Sequence, residues 1–447
     1  MQMKKKHRVG GEGKGWVTQK KEQNDQEEER NPDGNGGNGH WQDLPAELLE
    51  LILQRLSIID YLQCGAVCLS WRIKVANAIA SKLCPPAPQF PFVLLFPRQY
   101  SDKDYHLLSP SENRLSTVRS KWPSAVVCVG SVEGWLIMNF LDYCTQDQTL
   151  HSFTYFLNPV SGTRMMLPAT SISSFSKTYA KSGITISCKA VASSIPDCPN
   201  CHVATQFSCV VTRKQQLAFC RVTEKLWKVI NHPLKAVVFS DIAFYDNKLY
   251  AVGTTSSDVV NLVMAFDLRD PNALVKVLLD PSPVSRIHVS LIKCELDQRI
   301  DTKRIFLAKD SIRDELLLVF HIVEYFLNLD AKLSTDYLLP IQTKGFCVFK
   351  LDKSCFQWVE VDNLGNLSLF LDKQSSRVIS ITDLDGSMES IRGNCIYFAL
   401  DLGCSVDPSL ARDIGVFSLT DRSIKQISLN PSFQIRAPTL WFTPSIW

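Results

Sequence analysis

The sequence predicts a small all-α module followed by a large all-β domain, the latter a β-propeller of five to six blades. Three observations carry this expectation. A leucine-rich stretch between Trp41 and Leu83 has helical periodicity, that periodicity nearly disappears after Cys84, and a strand–turn–strand pattern then recurs to the end of the chain. The expected division is a disordered tail at 1–40, a helical module at 41–83 and the propeller at 84–447, with a long Ser- and Cys-rich loop near 170–203.

The tail comes first. Residues 1–40 carry almost no large apolar side chains and are rich in Lys, Glu, Gln, Asn and Gly, so they cannot bury enough surface to offset the entropy of ordering. The basic cluster "KKKHR" at Lys4–Arg8 reads either as a nuclear-import signal or as an ordinary solvated tail. "GNGGNG" matches GxGxxG literally, but no strand precedes it and no helix opens after it, so it is read as linker.

The helical module starts at "WQDLPAELLELILQRL". Pro45 suits a first helical turn, and Asp43 and Glu47 put negative charge near the positive end of the helix dipole. Leu48, Ile52 and Leu56 recur at four-residue spacing, with Leu49 and Leu53 widening the stripe, so the helix is expected to end near Leu56. Ser57 with Asp60 three positions on is an N-cap signature. Tyr61, Leu62, Ala66, Val67, Trp71 and Val75 then supply the apolar positions of one or two further short helices. Three short helices make a marginal core alone, which implies burial against something else.

After "PPAP" the chain becomes short strands rich in Val, Ile, Phe and Tyr. Segments such as "FTYFLNPVSGTRMMLP", "VMAFDLRDPNALVKVL" and "FCVFKLDKSCFQWVEV" each pair alternating apolar residues with a polar turn and a return strand. Others, such as "EGWLIMNF" and "FYDNKLYAV", supply a neighbouring strand. Five such units are clear, and part of a sixth lies in "LSLFLDKQSSRVISI". A large β-sandwich is the alternative, disfavoured because the hairpin recurs so often.

Composition narrows the function classes. With 45% hydrophobic and 21% charged residues, and Lys+Arg 48 against Asp+Glu 45, there is no electrostatic case for nucleic acid. The most apolar run, "VVCVGSVEGWLIMNFL", is interrupted by Glu133 and two glycines and falls short of a membrane helix. Fifteen cysteines at irregular spacing, with no signal-peptide pattern, point to free thiols in a reducing compartment. The expected location is the nucleus, the cytoplasm or both.

Several chemical signatures were weighed. "CPNCH" at Cys198–His202 matches the c-type haem attachment pattern, and Cys198, Cys201 and His202 with Cys188 or Cys209 could supply four zinc ligands; a cysteine-containing loop is the plainer alternative. Asp383, Asp385 and Gly386 begin a calcium-loop pattern that does not continue, which favours a hairpin turn. Trp227, Trp358 and Trp441 could line a sugar cleft or pack between blades. GxSxG, HExxH and P-loop patterns are missing from the sequence, so no catalytic residue, cofactor or metal is expected.

The order and spacing of "LPAELL", "LILQRL", Asp60 and "VCLSWR" closely resemble an F-box. That resemblance implies docking on a Skp-family adaptor and, through it, a cullin. It assigns Leu44, Pro45, Leu48, Ile52, Val67, Cys68 and Trp71 to the adaptor-facing and supporting hydrophobic surface. The remainder resembles the plant F-box proteins with a KIB-type, kelch-related propeller, on "GWLIM", "LNPVSGTRMMLP", "VVFSDIAFYDNKLYAV", "GNCIYFAL" and "WFTPSIW". Together these imply a non-catalytic substrate receptor of an SCF-type (Skp/cullin/F-box) ubiquitin ligase, with an unidentified target protein on the propeller. A non-ligase scaffold, or a sugar-binding or enzymatic propeller, are the rival classes.

Overall fold

The computed structural model describes residues 41–446 except 88, 98–103, 111–113, 120–125, 145–148, 169–184, 210–214, 232–236, 256–260, 270–273, 279–298, 328–337, 383–390, 402–411 and 428–434. The tail, with its basic and glycine clusters, and the Asp383–Gly386 turn lie outside the described residues. Two compact units result, Met1–Leu44 and Pro45–Trp447. The first is seen only in the 3-10 turn Trp41–Asp43, where Leu44 N donates to Trp41 O at 3.3 Å.

The second unit opens with three helices. α1 (Ala46–Leu53) has Pro45 as N-cap in extended conformation and stops three residues short of the expected Leu56, with Gln54 as C-cap. α2 (Ile58–Cys64) starts where the sequence indicates. The Ser57 hydroxyl accepts from Asp60 N at 3.2 Å and donates to the Asp60 carboxylate at 2.7 Å. α3 (Leu69–Ser81) takes Cys68 as N-cap, whose Sγ accepts from Trp71 N at 3.4 Å, and ends at Lys82 in the left-handed conformation. Leu49, Leu53, Ile58, Tyr61, Trp71, Val75 and Ala78 are buried.

These helices are tied to the strands that follow. Tyr61 Oη donates to Cys84 O at 3.0 Å, and Ala87 N donates to Leu56 O at 3.2 Å. Ile59 packs against a cluster that contains Phe92, Leu94, Leu440 and Phe442.

The strands form mostly antiparallel groups in chain order. The first holds β1 (Phe92–Pro97), β2 (Asp104–Ser109) and β3 (Arg114–Arg119). Next come β4 (Val126–Val132), β5 (Trp135–Cys144), β6 (Thr149–Leu157) and β7 (Arg164–Met166), then β8 (Thr185–Ala192), β9 (His202–Cys209), β10 (Gln215–Arg221) and β11 (Lys228–Val229). β12 (Val237–Tyr245), β13 (Lys248–Thr255), β14 (Asn261–Asp267) and β15 (Leu274–Leu278) make the following sheet. β16 (Arg299–Asp310), β17 (Glu315–Leu327), β18 (Leu338–Asp352) and β19 (Gln357–Glu360) join, through a parallel bridge at Lys309 and Arg377, to β20 (Leu367–Asp372), β21 (Ser376–Ser380), β22 (Cys395–Asp401), β23 (Arg412–Ser418) and β24 (Ile424–Gln426), where β20 and β22 pair in parallel. The last strand, β25 (Ile435–Phe442), returns to pair with β1, Phe92 opposite Phe442.

The large buried clusters are shared by consecutive groups. Phe92 and Leu107 meet Leu136 and Tyr155, Phe156 meets Val203, Phe219 meets Phe239, Tyr250 meets Leu318, and Phe346 meets Phe398. Phe370, Tyr397 and Trp441 then close the circle onto Val93 and Leu108. Repeated antiparallel sheets packed face to face in a closed circle are the propeller arrangement, which leaves few free sheet edges.

Tight turns carry the hairpins. Asp246 and Asn247 both have positive φ (47° and 55°), the conformation a two-residue hairpin demands. Between β4 and β5, Gly134 has φ 84° and a Cβ there would lie 2.2 Å from Ser445 Cβ, so no larger residue fits. Asn158 Oδ1 accepts from Val160 N and Ser161 N in the β6–β7 turn, while its Nδ2 donates to Ser445 O at 3.0 Å.

The expected loop at 170–203 is corrected in its second half. Thr185–Ala192 is β8, paired along β9, and it lies so close to β4 that a Cβ on Gly130 would sit 1.9 Å from Ala190 O. Small residues that read as loop composition are what this close approach requires. The polar interior is equally specific. Asp241 on β12 pairs with Lys189 on β8 and accepts from Leu307 N on β16 at 2.8 Å, joining three sheets. Burial raises its carboxyl above the ordinary range, against the pull of Lys189 and the N–H donors. Asp372 on β20 accepts from Trp441 N on β25 at 2.8 Å and from Gln374 N and Ser375 N.

Candidate protein interface

The helical segment exposes what its neighbours bury. On α1, Leu49 and Leu53 face inward at 0% exposure, while Leu48 (48%) and Leu51 (55%) share the outer side at three-residue spacing. On α3, Trp71, Val75 and Ala78 face inward, while Leu69 (69%) and Ile73 (53%) share the outer side at four-residue spacing. Val67 precedes α3 at 62% exposure. Within the second unit, half of the exposed large apolar side chains among the described residues fall between Pro45 and Leu83.

The seven residues assigned from the F-box resemblance separate into distinct roles. Leu48 and Val67 are exposed, Pro45 is the exposed N-cap of α1, and Ile52 and Leu44 are half-buried. Trp71 is buried among the helices and Cys68 caps α3 through its sulfur, so both support the module's shape; neither is an outward anchor. Their inward placement follows from helix phase, since Trp71, Val75 and Ala78 lie on one stripe. Leu51, Leu69, Ile73 and Leu83 were missed. The four-residue interval from Leu69 to Ile73 is a readable signal once α3 is known to start at Leu69.

The frame beneath this surface is held by hydrogen bonds. Arg72 Nε donates to Gly65 O at 3.1 Å, fixing the α2–α3 turn, and Cys84 Sγ donates to Glu50 O at 3.5 Å. Burial pushes the Tyr61 hydroxyl far above its ordinary range and raises the thiols of Cys64 and Cys84, so this seam stays uncharged near neutrality.

The other sites weighed from sequence resolve differently. Cys201 is buried with its thiol donating to Ser194 O at 3.1 Å, and His202 Nε2 accepts from Arg221 Nε at 3.1 Å. Among the described residues no group of three or more His, Cys, Asp or Glu side chains is placed to hold a metal. The three tryptophans pack between sheets. Trp441 is fully buried beside Phe370 and Tyr397, Trp358 lies against Phe349 and Tyr250, and Trp227 donates its Nε1–H to Pro168 O at 2.7 Å. No helix among the described residues is long and apolar enough to cross a membrane.

Comparison with known proteins adds the family. The F-box domain model matches residues 41–78, and the KIB1-4 beta-propeller model matches residues 107–418. The chain belongs to the KIB1-4 β-propeller family. Its relatives in Arabidopsis thaliana include a probable F-box protein 23% identical over 441 residues, covering 91% of this chain and 96% of that protein. A putative F-box protein of the same plant is 24% identical over 408 residues, covering 86% of this chain and 93% of its own length. Another is 30% identical over a 143-residue stretch, 29% of this chain and 31% of that protein. The F-box match thus falls on the three helices and the KIB match on the large all-β propeller domain that follows.

Proposed function

We propose that this chain is the substrate-receptor subunit of an SCF-type ubiquitin ligase. The F-box docks a Skp-family adaptor that joins a cullin, and the propeller presents a target protein. One observation carries the reading: an F-box match coincides with exposed Val67 and with outward-facing Leu48, Leu51, Leu69 and Ile73 on helices whose inner faces are already packed. Burying each such side chain is worth ~1.5–3 kcal/mol, so a partner that covers several gains a stable contact after the cost of association.

The role is positional and non-catalytic. Holding a target near the transferred ubiquitin raises the effective concentration of its lysines, and no reacting group on this chain is required. The test is reconstitution of the full chain with a Skp-family adaptor and a cullin. Co-elution of all three supports the reading. Retention of adaptor without cullin would make the chain a scaffold, and retention of neither would remove the proposal.

A further inference from the structure

The "CPNC" turn carries chemistry that adaptor docking does not use. Cys201 N donates to Cys198 O at 2.9 Å, closing a four-residue turn with the two cysteines at its ends. Such a turn holds its terminal Cα atoms within about 7 Å, and disulfides span about 4.4–6.8 Å between Cα atoms. Both side chains also face one core. Cys201 lies inside the cluster of Trp135, Ile137, Phe156 and Val203, and Cys198 packs against that same cluster.

The surroundings fix the turn. Ser193 N donates to His202 O and His202 N donates to Ser193 Oγ, both at 2.9 Å, which closes the base of the β8–β9 connection. Cys198 N donates to Ile195 O at 3.2 Å, and Val222 N donates to Cys201 O at 3.1 Å. Access differs between the thiols: Cys198 is half-buried and Cys201 fully buried. The nearby Cys220 sits within β10, fully buried, and is not part of the turn.

We propose that Cys198 and Cys201 are a redox pair, a modification site in which the turn closes into an intramolecular disulfide. With hydrogen peroxide as oxidant, the Cys198 thiolate attacks one peroxide oxygen, the O–O bond breaks, and a sulfenic acid forms with release of hydroxide. The Cys201 sulfur then attacks the Cys198 sulfur, the S–O bond breaks, and the Cys201 proton leaves with the hydroxyl as water. Two electrons pass from the two thiols to the peroxide. Burial raises the Cys201 thiol above its ordinary range, which leaves first attack to the half-buried Cys198. Closure also removes the Cys201 thiol bond to Ser194 O.

The test uses the full chain, reduced, freed of reductant, exposed to hydrogen peroxide, alkylated and digested with trypsin. The Ala190–Arg213 peptide holds Cys198, Cys201 and Cys209. The expected product lacks two hydrogens, carries one alkyl group at Cys209, and returns to three alkyl groups after a thiol reductant. Cys198→Ser abolishes the product at a partly exposed position that tolerates the change, Cys201→Ser abolishes it as well, and Cys220→Ser leaves it intact. Independent alkylation of Cys198 and Cys201 after peroxide treatment would overturn the proposal. A link from either to Cys209 or Cys220, or Cys198 ending as a sulfonic acid with Cys201 free, would do the same.

Discussion

The helices at 46–81 and the sheets that follow handle surplus groups in opposite ways. In the sheets, carboxylates are taken inside and bridge strands: Asp241 joins β8, β12 and β16, and Asp372 joins β20 to β25. In the helices, apolar groups are left outside, with Leu48, Leu51, Leu69 and Ile73 exposed above a core that is already filled. A helical face that keeps unburied leucines retains binding free energy for a second protein.

The largest expected effect comes from opening the buried bridge. Asp241→Ala leaves the Lys189 ammonium buried and unpaired and removes the acceptor of Leu307 N, at a cost of about 3–5 kcal/mol in denaturant unfolding. Replacing Lys189 by Met in the same chain should recover part of that loss. Trp71→Ala should cost a similar or smaller amount, about 3 kcal/mol, because it empties the centre of the helices. If Trp71→Ala leaves the unfolding midpoint unchanged, the inward placement of that side chain is wrong.

A subtler contrast lies within the sheets. His321 Nε2 shares a hydrogen bond of 2.7 Å with Thr343 Oγ1, and burial lowers its pKa to about 3, so it folds as a neutral ring. The unfolded chain protonates this histidine near pH 6.5, so its contribution to stability should fall as pH drops from about 6.5 toward 3. Asp372 acts with the opposite sign. Burial raises it to about 6 from 3.8, so its contribution falls as pH rises through that interval. Unfolding free energies of His321→Gln and Asp372→Asn, measured against wild type from pH 4 to 7, should diverge in opposite directions. Parallel curves would contradict one of the two placements.

The smallest effect on stability is expected on the outer helical face. Leu48→Glu or Leu69→Glu should change unfolding by no more than about 0.5 kcal/mol, since both side chains are exposed. A destabilisation comparable with Trp71→Ala would show that this face is already covered within the chain.

Much of this was readable from local pattern. The Ser57 cap, the three helices and the hairpin turns depend on residues a few positions apart, and the tryptophans follow from apolar residues recurring in each unit. Three features were not readable, for one shared reason. The Lys189–Asp241 pair, the parallel alignment of β20 with β22, and the close fit of β8 against Gly130 depend on segments brought together only by the closed circle. The interface was half readable. A stripe of leucines shows that α1 is amphipathic, but which side is buried depends on where α3 packs, so Leu51 was not singled out and Trp71 was assigned without separating supporting from outward positions.

The account rests on the helical face being a docking surface for a Skp-family adaptor. The most direct measurement is a binding titration of purified adaptor against the wild-type chain and a Leu48→Glu, Leu69→Glu double variant, with unfolding midpoints recorded on the same samples. The account predicts wild-type binding that weakens at least about tenfold in the double variant, a change of about 1.4 kcal/mol, at an unchanged midpoint. Absence of wild-type binding, or equal affinity in the two chains, would contradict it.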